Sequence, residues 1–202
     1  YANTGDWPHN NWRAARERVP GARWRFLVWD AEWSFGNNGR GVTGNNLTSG
    51  PLAGGADIAL FYRSLQKNPE FRMRFADRVQ IHYFNGGALT DENVLRRFRE
   101  MKEEMTGVIS NMNSTVETTW VPRRRAIVMS QMATQNIQAS AAAPQFSQPG
   151  GAIPAGYSLN LTATDGVIYY TTDGSDPRRP GEVAETGKTI LNGSAGKWAL
   201  GP

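Results

Sequence analysis

The chain has 202 residues, of which 39% are hydrophobic and 20% are charged, a composition typical of a folded protein rather than a disordered one. It has no cysteine, which excludes disulfides and thiolate metal sites. No apolar run approaches the roughly 18 residues that a membrane-spanning helix needs. The net charge is +4, and arginine supplies most of the basic residues.

Polar residues near the start of the chain form the segment Asp6-Trp7-Pro8-His9-Asn10-Asn11. Protein kinases use the same Asp-x-x-x-x-Asn interval to place a base and a magnesium-binding amide on one loop. Asp6 is therefore a candidate base and Asn11 a candidate metal ligand, with a turn cap and a loop hydrogen bond as their alternative roles. The stretch from 11 to 19 predicts either a short strand pair or a helical turn.

Residues 23–29 are rich in aromatic and branched side chains and predict a strand that is buried on at least one face. Asp30 and Glu32 follow it, and the pair Phe35-Gly36 comes shortly after. If extended geometry continued, the Cα atoms of Asp30 and Glu32 would lie about 6.6 Å apart, with both carboxylates on one face. Oxygen ligands of this kind suit magnesium. The two polar clusters together predict a magnesium–nucleotide centre, with a salt bridge for Asp30 and surface pairing for Glu32 as alternatives.

Glycine, asparagine, serine and threonine dominate residues 36–55, which predict a long loop. Four helices are predicted after it, beginning near Asp57, Pro69, Thr90 and Val121 and ending near Asn68, Gly86, Ile109 and Ile137. We expect the side chain of His82 to lie in the protein core, on the buried stripe of the second helix. The run Arg123-Arg124-Arg125 predicts a solvated helix start, with a phosphate or nucleic-acid patch as the alternative.

Beyond the helices the composition changes to short apolar stretches separated by glycine and proline turns. A strand is predicted over 167–172, a turn over 173–177 and a further strand over 188–191. The predicted fold class is α+β, with short strands and a helical bundle followed by a small, incomplete β-sandwich. The predicted domains are residues 1–138 and 146–202, joined by a linker at 139–145.

The first domain resembles the spore-coat protein H (CotH) kinase family, an atypical kinase-like group. The matching motifs are Asp6-Trp7-Pro8, Asn10-Asn11-Trp12, Trp24-Arg25-Phe26, Trp29-Asp30-x-Glu32-x-Ser34-Phe35-Gly36 and Lys67-Asn68-Pro69-Glu70-Phe71-Arg72. The resemblance covers about residues 1–137. It implies a partial C-terminal lobe of the catalytic domain, the use of ATP and Mg²⁺, and phosphorylation of serine or threonine in protein substrates.

Carried over by position, the resemblance makes Asp6 the catalytic-loop aspartate and Asn11 the amide that helps to hold metal and cofactor. It makes Asp30 a metal ligand. Family members usually carry Asp-x-Asp where this chain has Asp30-Ala31-Glu32, so the metal role of Glu32 rests on a longer side chain. The nucleotide-covering lobe is expected before Tyr1. We therefore expect the 202-residue chain alone to be inactive.

The last domain resembles the chitobiase/β-hexosaminidase C-terminal-type sandwich, a module associated with fibronectin type III domains. The matching motifs are Ala143-Pro144-x-Phe146-Ser147, Pro149-Gly150-Gly151 and Ile168-Tyr169-Tyr170-Thr171-Thr172-Asp173-Gly174-Ser175-Asp176-Pro177. Such modules accompany large secreted bacterial enzymes and surface proteins. The resemblance therefore implies an extracellular or cell-surface parent, and a possible glycan or matrix partner for the sandwich.

These observations predict part of an atypical protein kinase from a secreted or surface bacterial protein. The alternative is a non-catalytic scaffold or adhesion protein whose sandwich binds carbohydrate or matrix. We expect neither a nucleic-acid partner nor a membrane span within this chain.

Overall fold

The computed structural model describes residues 1–7, 9–48, 54–55, 57–110, 112, 114–139, 142–164 and 166–173. Helices and a few short strands make it a mixed α and β fold, as predicted at that level. The chain divides into two compact units, one formed by Tyr1–Leu65 with Leu95–Gln131 and the other by Gln66–Val94 with Met132–Pro202. The predicted sandwich from 146 and the predicted strand at 188–191 extend beyond the described residues. The domain boundary at 139–145 stays a prediction.

The first unit begins with a β-hairpin made of strands β1 (Trp12–Ala15) and β2 (Arg25–Val28). The strands pair antiparallel, with Trp12 opposite Val28 and Ala15 opposite Arg25. The predicted strand at 23–29 is therefore confirmed in shorter form, and the strand-pair interpretation of 11–19 is correct. The prediction that this strand is buried is wrong, because every residue of β2 is exposed.

In the described part of the chain, four α-helices follow the hairpin: α1 (Asp57–Gln66), α2 (Pro69–Tyr83), α3 (Asp91–Glu104) and α4 (Val121–Thr134). They confirm the four predicted helices, although α3 and α4 end before the predicted Ile109 and Ile137. The side chain of Asn68 caps α2 by accepting hydrogen bonds from the backbone N–H groups of Glu70 and Phe71. A π-helical turn over Val116–Trp120 runs directly into α4.

The core of the first unit lies around Trp120 and Val121, each of which is 1% exposed. The ring of Phe35 packs against Trp120 with a centroid distance of 5.6 Å. Arg124 is only 2% exposed, and its guanidinium lies 5.1 Å from the Trp120 ring centroid. This burial contradicts the prediction that the whole run at 123–125 is a solvated helix start. Successive residues of a helix point in different directions, so Arg124 is buried while Arg123 stays exposed.

Arg124 uses its buried guanidinium to hold loops of the first unit. Nε donates to Tyr1 O at 2.7 Å, and Nη1 donates to Gly44 O at 2.9 Å and to Val42 O. The terminal amino group of Tyr1 is also buried here. Burial, with a smaller contribution from the Arg124 charge, lowers the pKa of that amino group from 8.0 to about 6.

The core of the second unit is formed by residues of α2, by Met132 near the end of α4 and by Ile137 beyond it. The buried side chains are Ala76, Val79, Tyr83, Met132 and Ile137. His82 is exposed, so its predicted core position is wrong: Val79 and Tyr83, four residues apart, set the buried stripe, and His82 lies beside it.

Short strands β3 (Gln145–Phe146) and β4 (Leu161–Thr162) pair antiparallel in the second unit. Within the described residues 166–173, Tyr170 forms an isolated bridge and no regular strand is present, so the strand predicted over 167–172 is not formed there. Val167 is 72% exposed, which shows that its apolar side chain lacks a packing surface.

Candidate functional site

The two polar segments singled out in the sequence lie side by side in the first unit. Gly5 N donates to Trp33 O at 2.7 Å, and Phe35 N donates to Ala2 O at 3.0 Å. Ser34 Oγ adds side-chain hydrogen bonds to Thr4 Oγ1 at 2.9 Å and to Ala31 O at 2.7 Å. The segment that ends at Asp6 therefore runs along the segment that follows Asp30.

Asn11 connects the same two segments at the base of the hairpin. Its backbone carbonyl accepts from Trp29 N at 3.2 Å, and its side-chain Nδ2 donates to Asp30 O at 3.1 Å. The residue is 6% exposed. Asn11 thus fills its alternative role, because its side chain forms a hydrogen bond with a backbone carbonyl of the loop. Of the two amide atoms, Oδ1 is the one whose lone pairs could contact a cation.

Asp6, Asn11 and Asp30 all adopt left-handed backbone conformations, with φ values of 53°, 56° and 51°. Most non-glycine residues pay about 1–2 kcal/mol in this region, whereas aspartate and asparagine tolerate it best. Asp and Asn are therefore suited to these three positions by backbone as well as by side-chain chemistry. Phe35, with φ of 52°, is the bulky exception and lies in the same part of the unit.

Among the described residues, the carboxylate of Asp6 has His9 as its ion-pair partner. Oδ1 lies 3.4 Å from His9 Nε2, and Asn10 N donates to Asp6 O at 3.1 Å. Both side chains are accessible, with 35% of Asp6 and 55% of His9 exposed. Asp6 thus lies in a tight turn, as its alternative role requires, and its carboxylate remains open to solvent and to a substrate.

Asp30 and Glu32 are both exposed, and the chain between them is not extended. Strand β2 ends at Val28, and the left-handed φ of Asp30 breaks the two-residue alternation. The expected placement of both carboxylates on one strand face is therefore wrong. Asp30 also does not follow a buried strand, because every residue of β2 is exposed. The carbonyl of Glu32 accepts from Asn37 Nδ2 at 2.8 Å, which anchors its backbone next to the site.

A polar network that sequence reasoning missed joins the segment before Asp6 to the loop that contains Arg40 and Asn46. Arg40 donates to Asn3 O at 2.9 Å, to Asn3 Oδ1 at 3.1 Å and to Asn46 Oδ1 at 2.9 Å. Asn46 in turn donates to Thr4 O at 3.2 Å. The only sequence signal was the density of asparagine in a long loop, which predicts turns but not which loops they join.

The oxygen groups of this site are of the chemical type that magnesium prefers. Mg²⁺ is commonly held by one or two carboxylates together with substrate phosphates. Asp30 and Glu32 carry carboxylates and Asn11 carries an amide oxygen, on neighbouring segments. In the part of the chain that the structure describes, no group of three or more His, Cys, Asp or Glu side chains is placed to hold a metal ion. A cation here would therefore depend on the amide and on phosphate oxygens as well.

Comparison of the chain with family models, curated proteins and solved structures gave no significant match. Among the described residues, none of the helices has the length and apolar character needed to cross a membrane.

Proposed function

We propose that the first unit is part of a phosphoryl-transfer centre in a protein kinase of the spore-coat protein H type. The observation that supports this proposal is the hydrogen-bonded contact between the Asp6–Asn11 segment and the Asp30–Phe35 segment. A kinase needs its base and its metal ligands on adjoining loops, because phosphoryl transfer depends chiefly on positioning and electrostatic stabilisation.

In this proposal each residue has one task. The accessible carboxylate of Asp6 accepts a hydrogen bond from the substrate serine or threonine hydroxyl and orients it. Asp30, with Asn11 Oδ1 and Glu32, holds Mg²⁺, which neutralises charge on the ATP phosphates when it is bound. The hydrogen bond from Asn11 Nδ2 to Asp30 O keeps the two metal-facing residues at a fixed separation.

The test is calorimetric titration of Mg-ATP into the intact parent protein and into its Asp30→Asn variant. Asparagine tolerates the left-handed backbone of Asp30, so this substitution removes the charge and spares the fold, whereas alanine would add strain. We expect magnesium-dependent binding that weakens at least tenfold in the variant. Asp57→Asn, at an exposed aspartate in the first turn of α1, is the matched control and should bind normally.

Unchanged binding by Asp30→Asn would refute the metal role of Asp30. Absence of Mg-ATP binding by the intact parent would refute the kinase proposal and favour the scaffold or adhesion function instead. A kinase assay on protein substrates with Asp6→Asn then tests the base separately, because this variant should still bind Mg-ATP and lose phosphate transfer.

A further inference from the structure

The net positive charge of the chain is concentrated in the hairpin segment of residues 12–29. This segment contains one acidic residue, Glu17, and five arginines at positions 13, 16, 18, 23 and 25, which gives a net charge of +4. The whole chain also carries +4, so the remaining 17 basic and 17 acidic residues balance. The hairpin is therefore the basic region of an otherwise neutral protein, and it should attract anionic surfaces.

The same hairpin exposes large apolar side chains to solvent. Trp24 is 60%, Leu27 58% and Phe26 54% exposed, and the exposed apolar set continues with Val19, Val28 and Trp29. Soluble surfaces rarely gather so many large apolar residues in one place without a binding role.

These apolar side chains lie on both faces of the ribbon. Cross-strand partners share a face, so Val28 and Phe26 lie on the face of Trp12 and Ala14, while Leu27 lies on the face of Arg13. Two arginines stack on tryptophans, Arg13 over Trp29 at 4.8 Å and Arg16 over Trp24 at 5.8 Å. Each stack presents a guanidinium beside an apolar ring.

We propose that this hairpin is a docking surface for an anionic phospholipid bilayer. Tryptophan and arginine favour the headgroup region, where the ring is partly buried and the guanidinium meets lipid phosphates. Aliphatic residues exposed on both faces suit a ribbon that dips into the interface. Single-stranded nucleic acid is the poorer match, because it uses stacking rings along a basic groove and gains little from Val19, Leu27 and Val28.

The test is co-sedimentation of the 202-residue chain with vesicles of pure phosphatidylcholine and with vesicles containing 30% phosphatidylglycerol. We expect binding to the anionic vesicles only, reduced by raising the salt concentration because screening shortens the electrostatic range. The variant Arg18→Gln/Arg23→Gln/Arg25→Gln should bind about 100-fold more weakly, since each basic residue near an anionic surface contributes roughly a fivefold gain.

The matched control is Arg78→Gln/Arg97→Gln/Arg123→Gln, which removes the same charge at exposed positions outside the hairpin. It should retain vesicle binding within about threefold, since none of these arginines belongs to the hairpin segment. Trp24→Ser tests the apolar contribution and should lower binding at least fivefold while circular dichroism stays unchanged. Equal loss in both triple variants would overturn the proposal in favour of net charge alone.

Three further outcomes would also overturn it. The first is equal binding to neutral and anionic vesicles, and the second is no binding to either. The third is tighter binding of the chain to a single-stranded thymidine oligonucleotide than to the anionic vesicles, which would favour a nucleic-acid partner instead.

Discussion

The first unit uses one chemical pair, an arginine over a tryptophan ring, in two opposite environments. Arg124 and Trp120 are almost fully buried, and the guanidinium also donates to the carbonyls of Tyr1, Val42 and Gly44. Arg16 and Trp24 on the hairpin make the same kind of contact with both side chains exposed.

The difference shows that the pair itself does not define its role. In the core, every hydrogen bond of Arg124 replaces water that is no longer accessible, so the residue organises the loops that adjoin the candidate site. On the hairpin, water competes for the guanidinium of Arg16, so the contact adds little stability and leaves the residue available to a partner.

Replacement of Arg124 by methionine is the strongest way to break the buried pair. We expect the free energy of unfolding to fall by about 3 kcal/mol or more, because buried carbonyls lose their donors. Urea denaturation followed by circular dichroism measures the loss. The exposed neighbour provides the control, since Arg123→Met should change stability by less than about 0.5 kcal/mol. A loss below about 1 kcal/mol for Arg124→Met would mean that the buried network is not a stabilising centre.

The buried amino group of Tyr1, beside Arg124, predicts a pH dependence of stability. Its pKa is lowered from 8.0 to about 6 by folding, so the unfolded chain binds the extra proton between these values. The free energy of unfolding of the 202-residue chain should therefore fall by about 3 kcal/mol as the pH drops from above 8 to below 6. The measurement is urea denaturation across this range. Acetylation of the amino terminus should remove this component, and identical curves for the free and acetylated chains would contradict the prediction.

Replacement of Arg16 by methionine tests the exposed pair and should have the smallest effect. We expect a change in the free energy of unfolding of less than about 0.5 kcal/mol, because an exposed cation–π contact contributes little. The same urea experiment serves as the measurement. A loss of 2 kcal/mol or more would show that the hairpin pairs stabilise the fold as the buried pair does, and would remove the contrast between them.

The regular parts of this fold could be predicted because their signals are local. The cap at Asn68, the proline that follows it and the helical spacing of apolar residues define α2 without reference to the rest of the chain. For the hairpin, the strand character could be predicted but the burial of its faces could not. Aromatic and branched residues indicate a strand, but whether another layer covers it depends on contacts far away in the sequence.

The candidate site shows the same division. The residue types and intervals of Asp6, Asn11 and Asp30 drew attention to these positions, and the structure brings their segments together. Sequence reasoning missed the left-handed backbone at all three, and with it the end of extended geometry between Asp30 and Glu32. It also missed Arg124, because a run of three arginines gives no signal of which one turns inward.

The π-helical turn at Val116–Trp120 sets the rotational phase of the helix that carries Arg124. Each added residue rotates the following α-helix by about 100° relative to the preceding turn. Within this turn, Glu117 meets Arg99 at 2.9 Å and Lys102 at 3.1 Å. Trp120 at its end and Arg124 in the first turn of α4 are both buried. A deletion of one residue here would keep the helix and its composition, yet it would rotate Arg124 out of reach of the three carbonyls that it holds.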